Sequence, residues 1–577
     1  MKRKFKPLLL AIFAGTLLLA ACSNSNTTAP KSSQPAESAT ASPGASSSPS
    51  VDPLQGADLT KLPDAAKKRT DTLIVGLTDP SGAFTPYFHQ SGYDGNVSSL
   101  LFASLITVDE SGLPVPHLAE KYEVSADQLT YTFTLRKDSK FSDGSPLTAD
   151  DIAFTWTLLH DKAYDGDEDI IREANIKGGQ AYKDGKAAAI EGIKIIDPQT
   201  ISVTLEKPIA TAIFTLGSKI LSKAYYGKDY KFGNLDYIKN LHAAPLGNGP
   251  YKLEKFIPGQ EVRFTANEHY FKGAPNIKNF IYKTSDGDSF QFVETGEIDF
   301  AGFTATQENI DKLKSLPFLK LLPYTPSTYG YIQLNLEKEH LKDKKVRQAL
   351  VYGLDRQSIY VDSTQGANSI ANIPSSPISW SYTEDGINKY EFDLEKAKTL
   401  LDEAGWTVGK DGIREKDGQS LKFHYLGSKS AQTDTFIAVV QEHFKTLGID
   451  FQPEVFADFN ALISKVESGD YDAASFSTPM LTDPSDGLSS FINGEIKGYD
   501  NPKVKELYTK ALETTVIDER KAIYKELYQL LNDELPVIFT NYRKTIYAYN
   551  GRIENLSVSP FRGITVSLPD WKLSELK

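Results

Sequence analysis

Cysteine is almost missing from this chain. Cys22 is the single one among 577 residues, so no disulfide can form within the molecule, and a Cys-ligated zinc site lacks its ligands. Histidine is scarce as well. The eight, at positions 89, 117, 160, 242, 269, 340, 424 and 443, include no H-E-x-x-H pair. A G-x-S-x-G nucleophile elbow is absent. Gly179 to Lys186 approximates a phosphate-binding loop, but five residues instead of four separate Gly179 from Gly185, and Ala187 stands where a Ser or Thr is needed. Asp161, Asp165 and Gly166 begin like a calcium loop, with Ala163 at its third position and Arg172 at its twelfth. The sequence therefore implies no metal and no cofactor. Positive charge is in the minority: 63 Lys and Arg against 75 Asp and Glu give a net charge of −12. That argues against nucleic acid as a partner and against electrostatic attachment to anionic lipid.

Long apolar runs are also lacking. Leu8 to Leu19 spans about twelve residues, too few to cross a ~30 Å hydrocarbon core as a helix. Behind the basic stretch Met1 to Pro7 it fits the h-region of a secretory signal. The run ends Leu19-Ala20-Ala21-Cys22, which resembles the lipobox of bacterial lipoproteins. The resemblance implies cleavage after residue 21 and a lipid on Cys22, which places the chain on the extracytoplasmic face of the cell membrane. From residue 22 to 68 the chain is rich in Ser, Thr, Ala and Pro. Such a segment cannot bury enough surface to offset its ordering entropy and reads as a tether, with a mean reach of roughly 35 Å at ~5–6 Å × √n.

Beyond it, 40% hydrophobic and 24% charged residues are ordinary globular values, and the length calls for more than one domain. Strand and helix patterns interleave. Thr72 to Gly76 reads as a buried strand, and Tyr131, Phe133 and Leu135 alternate with polar residues as a half-buried one. Thr148 with Asp151 starts a helix carrying Ile152, Thr155, Trp156 and Leu159. Asp393 caps a second, stopped by Gly405, and Phe459, Leu462, Ile463 and Val466 stripe a third, followed by a strand at 471–476. Alternation of this kind means α/β layers.

Five colinear segments carry a family resemblance. They are Leu118 to Arg136 with Lys140 to Ile152; Gly247 to Leu253 with Gly296 to Asp299; Val346 to Leu350 with Asp355-Arg356; Lys396 to Trp406; and Gly469 to Asp472 with Asp483-Pro484 and Leu535 to Phe539. Together they resemble bacterial extracellular solute-binding proteins of family 5, which serve oligopeptide, dipeptide and nickel ABC importers. The resemblance implies an α/β, two-lobed clamp of the periplasmic-binding-protein kind, of the large class with an inserted subdomain. Lobe I would span 69–320, with the insertion at about 117–240. Lobe II would span 321–535, and 536–577 would return to lobe I. A monomer without enzymatic activity is implied, which captures a peptide in the interlobe cleft and delivers it to an ABC permease driven by separate ATPase subunits.

Three stretches are the candidates for the cleft: Asp79, Ser81, Phe84 and Tyr87 after the opening strand; Phe476, Ser477, Thr478, Met480 and Asp483; and Phe539 with Tyr542. The middle one departs from the family pattern G-W-x-A-D-Y-x-D-P, whose first Asp grips a peptide's α-ammonium. Aligned on Asp483-Pro484, Met480 stands in place of that Asp and Ser477 in place of the Trp. A thioether cannot hold a buried ammonium. The pocket then takes a blocked peptide, reads backbone only, uses Asp79 or Asp483 instead, or binds a sugar or a metal chelate. Chelates are the least favoured of these, because the three stretches contain no His. A signalling-peptide receptor, a secreted lipoprotein hydrolase with two carboxylates ~5–9.5 Å apart and a wall-associated scaffold are the remaining alternatives.

Overall fold

A computed structural model of the chain describes residues 55–576, except 90, 167, 285–288, 325–327, 480–481 and 560. The leader, Cys22 and most of the tether lie outside the described residues.

Thr72–Leu77 alternates half-buried and buried side chains and forms the middle of a seven-stranded sheet. In sheet order the strands are Leu319–Tyr324, Thr545–Asn550, Phe300–Thr304, Thr72–Leu77, Asn279–Thr284, Glu261–Ala266 and Tyr251–Ile257. The central strand runs parallel to both neighbours, with Thr72 opposite Asn279 and Val75 opposite Phe300. Two apolar layers cover this sheet. One contains Leu73, Val75 and Phe280, the other Ile298, Leu319, Leu321 and Ile546. A four-stranded antiparallel sheet, Ala119–Val124, Thr130–Leu135, Thr200–Thr204 and Ile193–Asp197, lies in the span of the expected insertion. Its Phe133, Ile201 and Val203 join the first of those layers, so both sheets share one core.

A six-stranded sheet makes the other lobe, in the order Ser369–Ile370, Val537–Tyr542, Thr328–Leu334, Ala473–Pro479, Lys422–Ser428 and Asp450–Phe456. Its main core, from Tyr329 to Tyr542, is separate from that of the first lobe. The helices read from the sequence form where their caps permit. Thr148 N–H donates to Asp151 at 2.8 Å at the start of Ala149–Leu159. Lys396 N–H donates to Asp393 at 2.9 Å at the start of Leu394–Glu403. Asp458 and the left-handed Gly469 bound Phe459–Ser468.

The molecule is thus a two-lobed α/β clamp, and two expected boundaries move. Ordered chain begins by Gln55 and not at 69. Leu62 and Ala66 are buried on the outer face of the first sheet, Asp58 N–H donates to the Pro317 carbonyl at 2.7 Å, and Arg69 pairs with Asp299 at 2.6 Å. Few as they are, these apolar side chains hold the end of the low-complexity segment down. The return to the first lobe comes at 545 and not at 536, because Val537–Tyr542 pairs with Thr328–Leu334 in the second sheet. The chain leaves the first sheet after Tyr324 and enters the second at Thr328, and it returns between Tyr542 and Thr545.

Candidate ligand crevice at the lobe boundary

The end of the central strand feeds a loop that Asp94 folds back on itself. Asp94 lies in the first turn of helix Gly92–Leu101, reciprocally capped with Ser91. Its carboxylate accepts from Gly82 N–H at 2.9 Å and from the Ser81 hydroxyl. The loop's tight path puts Tyr87 in the left-handed region at φ +71°, where a bulky residue is strained. The Tyr87 hydroxyl lies 2.7 Å from Ser218 Oγ and also donates to the Lys219 carbonyl.

Beside this loop are two cavities of about 330 Å³ each. One reaches into the first lobe between Val75, Tyr270, Tyr282 and Phe300. The other faces the second lobe between Tyr87, His89, Phe214 and Thr482. They share Ser104, Thr107, Lys219, Phe561 and Arg562, which form the partition of one crevice. Among the described residues, Thr482 lines it from the second lobe.

Charge in the crevice is organised around that partition. Arg562 donates from Nε to Ser559 Oγ at 3.0 Å and from Nη2 to Glu110 at 2.9 Å. Burial lowers its pKa, opposed by Glu110. Burial, then the positive charges of Lys219 and His242, push His89 down to about 3. His117 is also held at about 3, by burial first and then by Lys272, against the Ser104 carbonyl 3.1 Å from its Nδ1. Both rings are therefore neutral at physiological pH.

The structure distributes the candidate residues unevenly. Tyr87 lines the crevice. Asp79 is exposed and accepts from Gly259 N–H at 3.0 Å, holding one loop to another. Phe84 is fully buried, edge to face with Phe256 at 5.0 Å. Phe476 is half-buried, 6.1 Å from the Tyr331 ring. Ser477 and Thr478 stand opposite Gly330 and Tyr329 in the second sheet. Met480 lies outside the described residues. Asp483 is no candidate for a ligand ammonium, because Arg520 already grips both of its oxygens at 2.8 Å. Phe539 and Tyr542 belong to the second core, where the Tyr542 hydroxyl donates to the Ser375 carbonyl at 2.6 Å. Phe84, Phe539 and Tyr542, expected to line the cleft, are instead buried because their strands and loops turn these side chains into the cores.

The sequence reading missed His89, His117, Lys219 and the segment Phe561–Val566. The one usable signal was Pro560-Phe561-Arg562-Gly563, an aromatic and a cation between two turn-favouring residue types. The crevice therefore contains imidazoles, and the argument from their absence against metal chelates does not hold. Among the described residues no group of three or more His, Cys, Asp or Glu is placed to hold a metal ion, and no helix is long and apolar enough to cross a membrane.

Two lobes, a double crossing and a crevice at their boundary define a solute-binding clamp. The chain belongs to the bacterial extracellular solute-binding proteins, family 5, whose model matches residues 114–499. It is 28% identical over 517 residues to the oligopeptide-binding protein AppA of Bacillus subtilis, covering 87% of this chain and 92% of the relative. To heme-binding protein A of Haemophilus influenzae it is 26% identical over 525 residues, covering 86% and 92%. The structure of Bacillus subtilis AppA in complex with a nonapeptide superposes with a TM-score of 0.70 at 26% identity, over 88% of this chain and 100% of that one.

Proposed function

We propose that this protein is the lipid-anchored receptor of an ABC importer, which captures oligopeptides in the interlobe crevice and delivers them to a membrane permease. The observation that carries the reading is the crevice itself: two linked cavities of about 330 Å³ at the boundary of the lobes. Their partition offers polar groups to an extended backbone, and their chambers have room for side chains. A strand-like peptide satisfies its N–H and C=O groups against such a wall, with water filling what the side chains leave. The likeness to a nonapeptide-binding relative supports the same ligand class. Anchoring rests on the basic and apolar leader that ends at Ala20-Ala21-Cys22. Hinge closure over the ligand would then present a docking form to the permease.

Native mass spectrometry of the secreted chain from Ser23 onward, purified without refolding, tests the ligand class. A spread of adducts that resolves into peptides on denaturation is expected. A single non-peptide mass would overturn the peptide reading. One observation favours that second outcome. His89 and His117 are neutral imidazoles in the crevice walls, and neutral imidazole is the form that ligates a metal or a metal chelate.

A further inference from the structure

The lobes also meet at the C-terminal end of the second-lobe helix Pro502–Glu513, through residues that line neither cavity. The last carbonyls of a helix have no partner within it. Here the Lys510 carbonyl accepts from Thr514 N–H at 3.0 Å, that of Ala511 from Arg520 Nε at 2.9 Å, and that of Leu512 from Ala210 N–H at 2.7 Å. Ala210 belongs to the inserted subdomain, so the first lobe caps a helix of the second. Both sides of this bond are firmly seated: Ile209 and Ala212 are buried in the first core, and Ala511 in the second. Two further contacts flank it. Lys207 pairs with Glu513 at 3.1 Å, and the Thr515 hydroxyl donates to Gln128, a residue of the same subdomain at φ +61°. The ion pair is 54% and 47% exposed and contributes little alone, but it sets a cation at the negative end of the helix dipole. The helix end is also tied to the crevice. Arg520, which caps Ala511, grips Asp483, the neighbour of the lining residue Thr482.

We propose that the inserted subdomain is a latch, which holds the clamp shut by capping the end of Pro502–Glu513 from the other lobe through Ala210, Lys207 and Gln128. The latch sets the balance of open and closed forms before any ligand arrives, and it rests on the two-lobed fold and not on the peptide reading. Its contacts are polar, and water replaces each of them when the lobes part. It therefore biases closure by a modest factor and leaves the clamp able to open.

The test uses the secreted chain from Ser23 onward. Cys22 is the single cysteine, so spin labels at K194C and K410C, exposed positions on the two lobes, report one distance. Pulsed electron resonance of the unliganded chain is expected to show a dominant short distance. K207E and T515V, each with the wild-type thermal midpoint, should lower the closed-to-open ratio about two- to tenfold, the range of one hydrogen bond. E513K added to K207E reverses the pair and should restore the ratio. A210P deletes the capping N–H and should act in the same direction as K207E; where it also lowers the thermal midpoint, K207E and T515V decide. A dominant long distance in the wild type overturns the latch. So does a ratio unchanged in both K207E and T515V, or a loss in K207E that E513K fails to restore.

Discussion

Asp483 shows how one residue type serves opposite ends according to its surroundings. A carboxylate beside a ligand cleft invites assignment to an ammonium. Here it accepts two bonds from Arg520 at 2.8 Å, two from Ser485, and one from the Tyr524 hydroxyl at 3.3 Å. Arg520 in turn donates to the Ala511 carbonyl and lies 5.1 Å over the Trp380 ring. The two side chains are 2% and 3% exposed. Breaking a buried pair leaves an uncompensated charge in a poor solvent for it, at a cost of about 3–5 kcal/mol, although replacing both partners with apolar residues is often far cheaper. D483N and R520M are each expected to lower stability by roughly that amount. The D483L/R520M double variant is expected to lose much less than their sum. Urea unfolding checks this, and additive losses would show that the two side chains do not act as a pair.

At the scale of elements, the turn Asp109 to Leu113 brings Gly112 to the other lobe. Asp109 accepts from Ser111 N–H at 2.9 Å and from Leu113 N–H at 3.0 Å, which fixes the turn and leaves Gly112 at φ +92°. A Cβ there would lie 3.1 Å from the Thr482 carbonyl oxygen and 3.2 Å from the Phe561 ring. One methyl group would therefore separate first-lobe turn, C-terminal segment and second lobe where they meet. G112A is expected to weaken peptide binding several-fold and to increase the radius of gyration at saturating ligand in small-angle scattering. G259A is the control: Gly259 has φ +72° and nothing within 4 Å of its Cβ position, so it carries the backbone strain, about 1–2 kcal/mol, without the contact. Equal effects of the two variants would assign the loss to strain.

Elements of this kind also mark the limit of what the sequence discloses. The strand at 72, the strand through Phe133 and the helices capped by Thr148, Asp393 and Asp458 were legible because period and cap are local properties. The crevice was not. Tyr87 was found because it follows the opening strand, Thr72–Leu77. Lys219 and Arg562 come from segments more than 300 residues apart, and no local pattern records that they share a wall. Aromatic content misled for a related reason. Phe539 and Tyr542 look equally suited to a ligand and to a core, and only the pairing of Val537–Tyr542 between two strands decides for the core.

On the scale of the whole molecule, acid should loosen the two lobes unequally. Their main cores are separate, and the chain joins them at two crossings. His89, His117 and His160 all belong to the first lobe, and burial is the foremost cause that holds them at about 3, 3 and 4. In the unfolded chain the same rings titrate near pH ~6.5. Between those values the unfolded state binds more protons than the folded state, so folding stability rises with pH across the window. The contribution of these rings is complete above about 6.5 and is lost progressively as pH falls toward 3. Thermal midpoints should therefore fall on acidification below pH ~6.5, and H117Q should flatten part of that slope. Hydrogen exchange resolved along the chain gives the sharper test, because it reports the lobes separately. At pH 5 the segments around Thr130–Leu135 and Ala149–Leu159 are expected to lose protection before Thr328–Leu334. If both lobes lose protection together, either the histidines are not held neutral or the two crossings couple the cores tightly. An unchanged acid slope in H117Q separates these, since it removes the histidine explanation alone.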